Sequence, residues 1–584
     1  MKKNRTIYFL LALVCLGLQS CLFQEEDYFD DSSANRATAD VKRCSELLEA
    51  APNGWVMEYY VGKDYSLGGI TLLCKFDGQR VTMASQIAGA DETVSSLYSV
   101  KSEQATMLSF DTYNYLVHYF GQPQGSMADD PNGTLGGDYE FVISDATADR
   151  IELKGKKYGN RIVMKAFSAD QTWKQYLTRI KKVEDWIPHM VKLGVDAIYF
   201  CPVFESDRHG YDTRDYTKLD VRLGTNEDFK EVCGKLHDNN IKVVLDGVFN
   251  HVGRGFFAFQ DLLKNRENSP YKDWFTNVNF GWNNNYNDGL SYEGWEGHNE
   301  LVKLNLRNEE VIRHIFSAVE GWIKEFDIDG LRLDVAYSLD MDFVRRLRQF
   351  VDSKKDDFYL LGEMIHGDYN RLLDEQNMLH SVTNYQAYKG MWSSFNDRNL
   401  FEINYTLEQH FCGMYQGRHL LNFLDNHDVN RLASTLREKE HLPLVYAMLF
   451  AIPGIPCVYY GSEWAAEGKK ENGGDEALRP SFEAPEWNEL TDYISRLAKV
   501  HKSEKTLCYG SYRKVFLTNR QIVFERSFDG ERILVAINLE ENPFHASFDA
   551  GAAEAVDLLT GEKAAFQGGL DMPAFSAAYL KITG

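Results

Sequence analysis

Four short motifs combine acidic side chains with histidine or arginine, and each of them follows or ends a short apolar run. The motifs are LDGVFNH with Asp246, GLRLDVA with Arg332 and Asp334, LLGEM with Glu363, and FLDNHD with Asp428. A single aspartate in such a place is more often a helix cap or a ligand for backbone N–H groups than a reactive group. Four strand ends that each supply a carboxylate are harder to explain in that way, so we expect one shared site.

Carboxyl groups that lie close together cannot all be ionised, because like charges raise one another's pKa. One of them is therefore expected to stay protonated near neutral pH while another is ionised. Cleavage of a glycosidic bond requires such a pair, since one group protonates the leaving oxygen and the other attacks or stabilises the cationic sugar carbon. The residue types thus predict a site that cleaves glycosidic bonds.

Short apolar runs alternate with helical patterns from about residue 181 to residue 500, and these elements must position the motifs. Thr225 begins one helix in the manner of a capping box, and apolar residues then recur at intervals of three and four. IKVVLDGVF and IPCVYYGSE are typical of strands that are buried on both faces of a parallel sheet. The repetition favours a (β/α)8 barrel, in which residues just past the carboxyl ends of the strands face one cleft.

Two segments whose apolar residues have a period of two flank the barrel. The first predicts an N-terminal antiparallel β domain and resembles the N-terminal domains of uncharacterised surface lipoproteins. The second begins near Cys508 and predicts a C-terminal β-sandwich. The predicted organisation is a signal peptide at 1–20, the β-rich domain at 21–178, the barrel at 179–504 with a loop excursion at 252–300, and the sandwich at 505–584.

The composition restricts the partners of the chain. There are 63 Lys and Arg residues against 86 Asp and Glu residues, for a formal net charge of −23. That field would repel a polyanion, which argues against nucleic acid as a partner. The nine cysteines form no CxxC pair and no Cys/His cluster with zinc-ligand spacing, so they predict no metal site.

The start of the chain is predicted to be a targeting signal. Lys2, Lys3 and Arg5 precede an apolar run at 6–18, which is shorter than the roughly 20 residues that span a bilayer. The run ends in LQSC, which resembles the signal box of bacterial lipoproteins and implies a cut before Cys21 and lipidation of that residue. Lipid would then anchor the protein at the cell envelope, in the outer membrane. A plain secretory signal is the alternative.

In order and in spacing, DGVFNH, GLRLDVA, GEM and FLDNHD resemble the sequence regions of the α-amylase family, glycoside hydrolase family 13. GVDAIYFCPVF and HGYDTRDY resemble the second strand of that family and the loop after it, and the resemblance covers roughly residues 181–584. It implies a retaining hydrolase that cleaves α-glucosidic bonds of maltodextrins or starch-like α-glucans by double displacement and requires no cofactor.

The resemblance implies a role for each reactive residue. Asp334 would be the nucleophile that forms a covalent glycosyl intermediate, and Arg332 would keep it ionised by charge pairing and hydrogen bonding. Glu363 would protonate the leaving oxygen and then activate water as a base, so that two inversions retain the α configuration. Asp428 would bind sugar hydroxyls as the ring distorts.

The resemblance also implies contacts to the reacting sugar. His251 and His427 would donate hydrogen bonds in its subsite, and Asp246 would be the structural acid nearby. Tyr211 in HGYD matches an aromatic residue of the family that stacks on this sugar. The alternative for a lone tyrosine is packing within its loop.

Three further positions bear on specificity. Asp212 and Arg431 match a pair that binds the non-reducing terminal glucose in exo-acting members of the family, and such a pair would close the pocket at one end. Lys303 lies in ELVKLN, at 300–305, which resembles a variable stretch of neopullulanases and cyclomaltodextrinases. This stretch favours short or branched maltodextrins as substrates.

The long loop at 252–300 is rich in aromatic, Asn and Gly residues. Exposed aromatic rings stack on sugars and Asn side chains match hydroxyl groups, but a small aromatic cluster that only folds the loop is the alternative. Asn250 and nearby aspartates could help to bind Ca²⁺, as they do in some relatives, although the sequence shows no convincing oxygen cage. No metal takes part in the predicted chemistry.

One element of the family's barrel is missing from the sequence. No aromatic-rich first strand precedes the helix KKVEDWIPHMVKLG, so the barrel either borrows an atypical strand from residues 160–180 or stays incomplete, with two open strand edges. This motivates a second hypothesis, a non-catalytic surface glycan-binding lipoprotein with a degenerate barrel. An α-glucan transglycosylase is the alternative within the enzyme class, because a sugar hydroxyl competes with water for the same intermediate.

Overall fold

The computed structural model describes most of the chain in nine stretches of residues. These are 32–61, 69–85, 87–88, 90–121, 136–169, 172–220, 222–374, 376–470 and 475–582. The predicted signal peptide and the predicted lipidation site Cys21 lie outside the described residues.

The N-terminal part folds as a closed barrel of eight antiparallel strands, which confirms the predicted antiparallel β domain. Each strand pairs with the next along the chain, and the last pairs with the first, where Met57 lies opposite Met164. Apolar side chains such as Trp55, Met83 and Phe141 fill the interior. In chain order the strands are β1 (Trp55–Tyr60), β2 (Gly69–Asp77), β3 (Arg80–Ser85), β4 (Val94–Ser102), β5 (Thr106–Phe110), β6 (Glu140–Ala146), β7 (Arg150–Gly155) and β8 (Arg161–Ala166).

The described residues also form α-helices, most of them in the central region. Helix α1 (Ser33–Ala50) packs Cys44 and Leu48 against the interior of the N-terminal barrel. The remaining helices, in chain order, are α2 (Tyr115–His118), α3 (Trp173–Leu177), α4 (Lys182–Leu193), α5 (Asn226–Asp238), α6 (Phe257–Asn265), α7 (Glu309–Phe326), α8 (Met341–Asp352), α9 (Tyr385–Asn396), α10 (Phe401–Gln409), α11 (Leu432–Thr435), α12 (His441–Ala451), α13 (Glu489–Ser503) and α14 (Lys505–Tyr509).

The central region contains the parallel strands that its apolar runs predict. In chain order its strands are β9 (Ala197–Phe200), β10 (Phe204–Ser206), β11 (Thr213–Leu219), β12 (Lys242–Gly247), β13 (His251–Gly253), β14 (Gly294–Trp295), β15 (His298–Lys303), β16 (Gly330–Leu333), β17 (Tyr359–Gly362), β18 (Ser381–Val382), β19 (Leu421–Phe423) and β20 (Ile455–Cys457). Five run in the order β18-β17-β16-β12-β9, and β19 pairs with β20. A bridge between Thr383 and Leu421 joins the two groups, which gives seven parallel strands within the described residues.

Helix α5 shows how the sequence builds the alternating units. The Thr225 side chain accepts from the backbone N–H of Asp228, and the Asp228 side chain accepts from that of Thr225, which is the predicted capping box. Phe229, Val232 and Leu236 then lie on one face of the helix and are buried in the core of the barrel.

The parallel barrel is open on one side. Within the described residues, β9 pairs only with β12 and β20 pairs only with β19, so each has one free edge. Residues 161–166, part of the segment predicted as a source of the first strand, form β8 and pair with β1 and β7 instead. Residues 173–177 are helical. Of the two alternatives that the sequence left, the structure supports the incomplete barrel.

Side-chain burial shows the effect of this gap. The residues of β16, β18 and β19 are buried throughout. Those of β9 and β20 are partly exposed, including Tyr199 and Cys457. The two strands beside the gap therefore expose both apolar side chains and unpaired backbone groups, which is unusual for a parallel sheet.

The C-terminal region is a β-sheet domain that packs on the barrel. Six strands form one antiparallel sheet and two form another, namely β21 (Ser511–Leu517), β22 (Gln521–Phe528), β23 (Glu531–Asn538), β24 (Phe544–Ser547), β25 (Glu554–Asp557), β26 (Lys563–Ala565), β27 (Gly569–Met572) and β28 (Ser576–Ile582). Tyr579 belongs to the same apolar core as the barrel. Arg526 is fully buried and donates to the carbonyl oxygens of Gly510, Ser511 and Ala451, the last of which lies in α12.

Candidate active site

Asp246, Arg332, Asp334 and Glu363 come together at the carboxyl ends of three neighbouring parallel strands. Nη1 of Arg332 lies 2.9 Å from Oδ2 of Asp246 and 2.9 Å from Oδ1 of Asp334, and Nη2 lies 2.9 Å from Oε1 of Glu363. All four side chains are buried. One guanidinium group therefore holds three carboxyl groups, two of which are predicted to react.

Strand register explains why these side chains meet. Leu333 at the end of β16 pairs with Gly362 at the end of β17, so the residues that follow, Asp334 and Glu363, stand side by side. Arg332 lies two residues before Asp334, and the pleat of the strand places both on the same face. The apolar runs thus fix the register that brings the reactive groups together.

Val335 contributes a backbone contact that no sequence pattern indicates. Its φ is 38° and its ψ is 47°, a left-handed conformation that β-branched residues rarely adopt. From this position its N–H donates to Oε2 of Glu363 at 3.0 Å. The strained backbone beside Asp334 thus orients the second reactive carboxyl group.

Burial and crowding control the charge of the central carboxyl groups. Burial raises the pKa of Asp334 well above its usual range, Arg332 opposes that rise, and the charges of Asp246 and Glu363 add to it. Burial raises the pKa of Asp246 as well, against the attraction of Arg332. The site therefore favours binding of a proton, as predicted for crowded carboxyl groups. Arg332 only partly keeps Asp334 ionised, because burial outweighs its charge.

Tyr211, His427 and Asp428 form a second cluster beside the first. The Tyr211 hydroxyl donates to Oδ2 of Asp246 at 3.1 Å and lies 2.6 Å from Nε2 of His427. The rings of Tyr211 and His427 are stacked, with centroids 5.5 Å apart. Nε2 of His427 also lies 3.0 Å from Oδ2 of Asp428, whose side chain is 40% exposed. Asp428 therefore lies where the site opens to solvent.

His427 and Asp428 form a charged pair over a wide pH range. Burial lowers the pKa of His427, but Cys201 and Asp428 raise it to about 10. Burial raises the pKa of Asp428, but the hydrogen bond from His427 and the charges of His427 and Arg332 lower it to about 2. An imidazolium thus faces a carboxylate at the place where the sugar hydroxyls are predicted to bind.

His251 is buried and lies beside the side chain of Asn250. Nδ1 of His251 lies 3.2 Å from the side-chain amide nitrogen of Asn250, and burial lowers the pKa of His251 to about 4. The Asn250 side chain thus contacts an imidazole through its amide nitrogen. Within the described part of the chain, no group of three or more His, Cys, Asp or Glu side chains could hold a metal ion.

Lys303 lies next to this region but is paired within its own loop. On β15 it stands opposite His251 on β13. Its ammonium group lies 2.6 Å from Oε1 of Glu293. The structure therefore brings Lys303 close to the predicted sugar subsite, with its charge neutralised by a carboxylate.

Asp212 and Arg431 bind different protein partners in the structure. Asp212 accepts hydrogen bonds from Nε of Arg208 at 3.0 Å and from the Arg208 backbone N–H at 3.1 Å. Arg431 is fully buried and donates to the carbonyl oxygens of Tyr460 and Leu478 at 2.8 and 3.1 Å. Arg208, four residues before Asp212, satisfies that carboxylate, while Arg431 joins two loop segments. Binding of a terminal glucose by Asp212 and Arg431 stays a prediction.

Tyr385 and Arg479 also contact reactive residues, and no motif predicts them. The Tyr385 hydroxyl donates to Oε1 of Glu363 at 3.5 Å, and Nη2 of Arg479 lies 3.3 Å from Oδ1 of Asp428. Tyr385 follows β18, which is only two residues long and leaves almost no apolar run to recognise. Arg479 lies in an irregular loop, where no periodicity exists.

The loop excursion at 252–300 contains aromatic residues that fold the loop and aromatic residues that are exposed to solvent. Trp274, Phe275 and Tyr292 are buried and belong to the core of the barrel. Trp282 is 71% exposed. The first group folds the loop, and only the exposed residues remain available to stack on sugars.

Comparison with protein families assigns the central region. The family described as "Alpha amylase, catalytic domain" matches residues 178–506, which is more than half of the chain. A second family, described as "Domain of unknown function (DUF4302)", matches residues 25–219. The second match assigns no activity to the N-terminal barrel and does not test its predicted resemblance to lipoprotein domains.

Curated relatives carry the names of α-glucan hydrolases. A cyclomaltodextrinase from Thermoanaerobacter pseudethanolicus is 33% identical over 375 residues, which cover 62% of this chain and 63% of that protein. An intracellular maltogenic amylase from Bacillus subtilis is 32% identical over 366 residues, which cover 61% of this chain and 60% of that protein. The chain thus spans about three fifths of the length of these relatives.

These relatives correct the predicted location. The sequence predicts a lipid-anchored protein of the cell envelope, but two of the similar proteins are named intracellular maltogenic amylase. The prediction of an envelope location is therefore wrong. Among the described residues, no helix has both the length and the apolar composition that are needed to cross a membrane.

A solved structure supports the fold assignment. The debranching enzyme from Nostoc punctiforme has a TM-score of 0.61 and 30% sequence identity, and the match covers 68% of this chain and 88% of that one. This likeness confirms the predicted amylase-type (β/α)8 barrel fold for the central region, here with seven parallel strands in the described residues. Together with the family match over residues 178–506, it shows that the chain belongs to the α-amylase family of glycosidases.

Proposed function

We propose that this protein is a retaining α-glucan hydrolase that acts on maltodextrins. The observation that carries the proposal is the Arg332 guanidinium, which binds Asp334 through one terminal nitrogen and Glu363 through the other. Two carboxyl groups held side by side on neighbouring strands are the pair that double displacement uses. The names of the cyclomaltodextrinase and maltogenic amylase relatives support α-glucans as the substrate class.

The proposed reaction uses two carboxyl groups, one proton and one water molecule. The Asp334 carboxylate attacks the anomeric carbon as the glycosidic C–O bond breaks, and Glu363 gives its proton to the leaving oxygen. Glu363 then takes a proton from water, whose oxygen attacks the same carbon and releases Asp334. Arg332 favours the ionised form of Asp334 that the first step needs, against burial and the charge of Asp246, which raise its pKa.

The second cluster is suited to bind the sugar in this reaction. Asp428 would accept hydrogen bonds from hydroxyl groups, and the neighbouring His427 keeps it ionised. Tyr211 would supply an aromatic face, and His251 would donate a hydrogen bond. Asp246 positions Arg332 and Tyr211, because it binds the Arg332 guanidinium and accepts a hydrogen bond from the Tyr211 hydroxyl.

Hydrolysis of a defined oligosaccharide tests this function. The purified protein should release reducing ends from maltotetraose, and Asp334→Asn should lower the rate by several orders of magnitude, because the nucleophile is lost. Glu402→Gln, a change in an exposed ion pair with Lys389, is the matched control and should leave the rate unchanged. Equal rates for the protein and Asp334→Asn would refute the proposal.

The open barrel favours a second candidate function, a glycan-binding protein without turnover. The free edges of β9 and β20 remove the support that a first strand would give to the site. Retention on immobilised starch without release of reducing ends would favour this candidate. Products longer than the substrate would instead indicate transglycosylation.

A further inference from the structure

Two ring nitrogens beside the proposed sugar subsite are buried and have no hydrogen-bond partner. They are Nε2 of His251 and Nε1 of Trp295. His251 is 2% exposed, and the centroids of the two rings lie 5.8 Å apart. Buried polar groups without partners reduce the stability of a protein, and these two lie beside the residues that are proposed to bind the sugar, where a ligand can supply the partners.

The indole nitrogen is a hydrogen-bond donor, because Nε1 of Trp295 carries a proton and can only donate. Beside it, burial lowers the pKa of His251 to about 4, so that ring is neutral near pH 7, and its Nδ1 lies 3.2 Å from the side-chain amide nitrogen of Asn250. The missing partner of the indole is therefore an acceptor oxygen, and the hydroxyl groups of a sugar supply such oxygens.

A hairpin that includes Trp295 is built onto the strand that carries His251. Strand β15 pairs with β13 on one side and with β14 on the other. Trp295 stands opposite His298, whose ring stacks on the indole with centroids 5.9 Å apart. Glu296 and Gly297 form the turn and both have positive φ angles. The indole thus packs between the imidazole rings of His251 and His298. These contacts hold it in place without a ligand.

The hairpin reaches the side of the site on which Glu363 lies. The Tyr337 hydroxyl donates to Oε1 of Glu296 at 3.4 Å. The ring of Tyr337 lies 5.1 Å from that of His366, three residues after Glu363. In the proposed function Glu363 protonates the leaving oxygen, so the sugar beyond the cleaved bond lies on this side.

We propose that Trp295 binds the sugar on the leaving-group side of the cleaved bond, with its buried indole N–H donating to a hydroxyl oxygen of that sugar. This inference rests on the proposed function and deepens it, because it assigns a residue that selects oligosaccharides over substrates without a leaving sugar.

Two substrates and one conservative variant test this assignment. Trp295→Phe keeps an aromatic ring and removes only the N–H. It should lower kcat/KM about fivefold on maltotetraose, which has leaving sugars, and leave kcat/KM unchanged on α-maltosyl fluoride, whose leaving group is a fluoride ion. Trp173→Phe, which removes an indole N–H that donates to the carbonyl oxygen of Asn53 beside the N-terminal barrel, should leave both values unchanged. Equal losses on both substrates, or no loss on maltotetraose, would overturn the assignment.

A binding measurement separates this inference from the proposed function. In the Asp334→Asn background, calorimetry with maltotetraose should show a Kd about fivefold higher when Trp295→Phe is added. An unchanged Kd would overturn the role of Trp295. A raised Kd in a protein that shows no hydrolysis before the Asp334→Asn change would preserve the sugar contact and refute the hydrolase.

Discussion

Nη2 of Arg332 lies 2.9 Å from Oε1 of Glu363, on the same guanidinium group that holds Asp334 through Nη1. The two carboxyl groups assigned to the reaction are therefore positioned by one cation. Because this cation also binds Asp246, the structural acid and both reactive groups depend on the same side chain. The positions of all three carboxyl groups thus depend on Arg332.

Removal of this cation should destabilise the protein and abolish its activity. Arg332→Met leaves buried carboxyl groups without a positive partner, which costs about 3–5 kcal/mol of unfolding free energy. Denaturant unfolding at pH 7 measures this loss. The loss should shrink at lower pH, because the carboxyl groups then become neutral.

The control for this variant is the same substitution at Arg346, an arginine in an ion pair on the surface. Arg346 pairs with Glu309 at 2.7 Å, and both side chains are exposed. Arg346→Met should change the unfolding free energy by less than about 1 kcal/mol, because exposed ion pairs contribute little. Similar losses in the two variants would contradict the central role of Arg332.

The pair of His427 and Asp428 should give a stability contribution that depends on pH. The pKa of His427 is raised to about 10, so its contribution is complete below its ordinary pKa of about 6.5 and is lost as the pH rises through 10. Thermal unfolding should therefore show that His427→Gln lowers the Tm more near pH 6 than above pH 10. An equal loss of Tm at both pH values would show that no charged pair exists.

His251 provides the opposite case for comparison. Burial lowers its pKa to about 4, so its contribution is complete above the ordinary pKa of about 6.5 and is lost as the pH falls towards 4. His251→Gln should lower the Tm more at pH 8 than at pH 5. The two variants should thus show opposite trends with pH.

The gap between β9 and β20 should make the thiol of Cys201 reactive. Cys201 is partly exposed, and although burial raises the pKa of its thiol, the charge of His427 and a hydrogen bond from it lower that pKa overall. Brief treatment of the native protein with N-ethylmaleimide should modify Cys201 and the exposed Cys412 well before the buried Cys74 and Cys233. Mass spectrometry of peptides reads out the order. Protection of Cys201 equal to that of Cys74 would show that the gap is covered.

The sequence predicts the convergence of the site well, because local rules decide it. Strand residues alternate between two faces, so Arg332 and Asp334 had to share one face. Parallel register then brings Glu363 beside Asp334. These relationships depend only on short apolar runs and their order along the chain.

The sequence predicts pairs between distant loops poorly, because competing partners are not visible in a motif. Asp212 and Arg431 match two family positions that are predicted to act together, yet Arg208, four residues before Asp212, satisfies its carboxylate. Tyr385, which contacts Glu363, comes just after β18. That strand has only two residues, too few to show a periodic pattern in the sequence. The left-handed backbone of Val335 is a tertiary constraint that no propensity indicates.

A covalent intermediate is the central claim of this account, and chemical trapping tests it most directly. 5-Fluoro-α-glucosyl fluoride should transfer its sugar to the nucleophile, with release of fluoride, and the fluorine at C5 should slow the hydrolysis of the product. Mass spectrometry should then find one fluoroglucosyl group on the peptide that contains Asp334, and none in the Asp334→Asn variant. A fluoroglucosyl group on another residue, or a peptide of Asp334 that stays unmodified, would contradict the account.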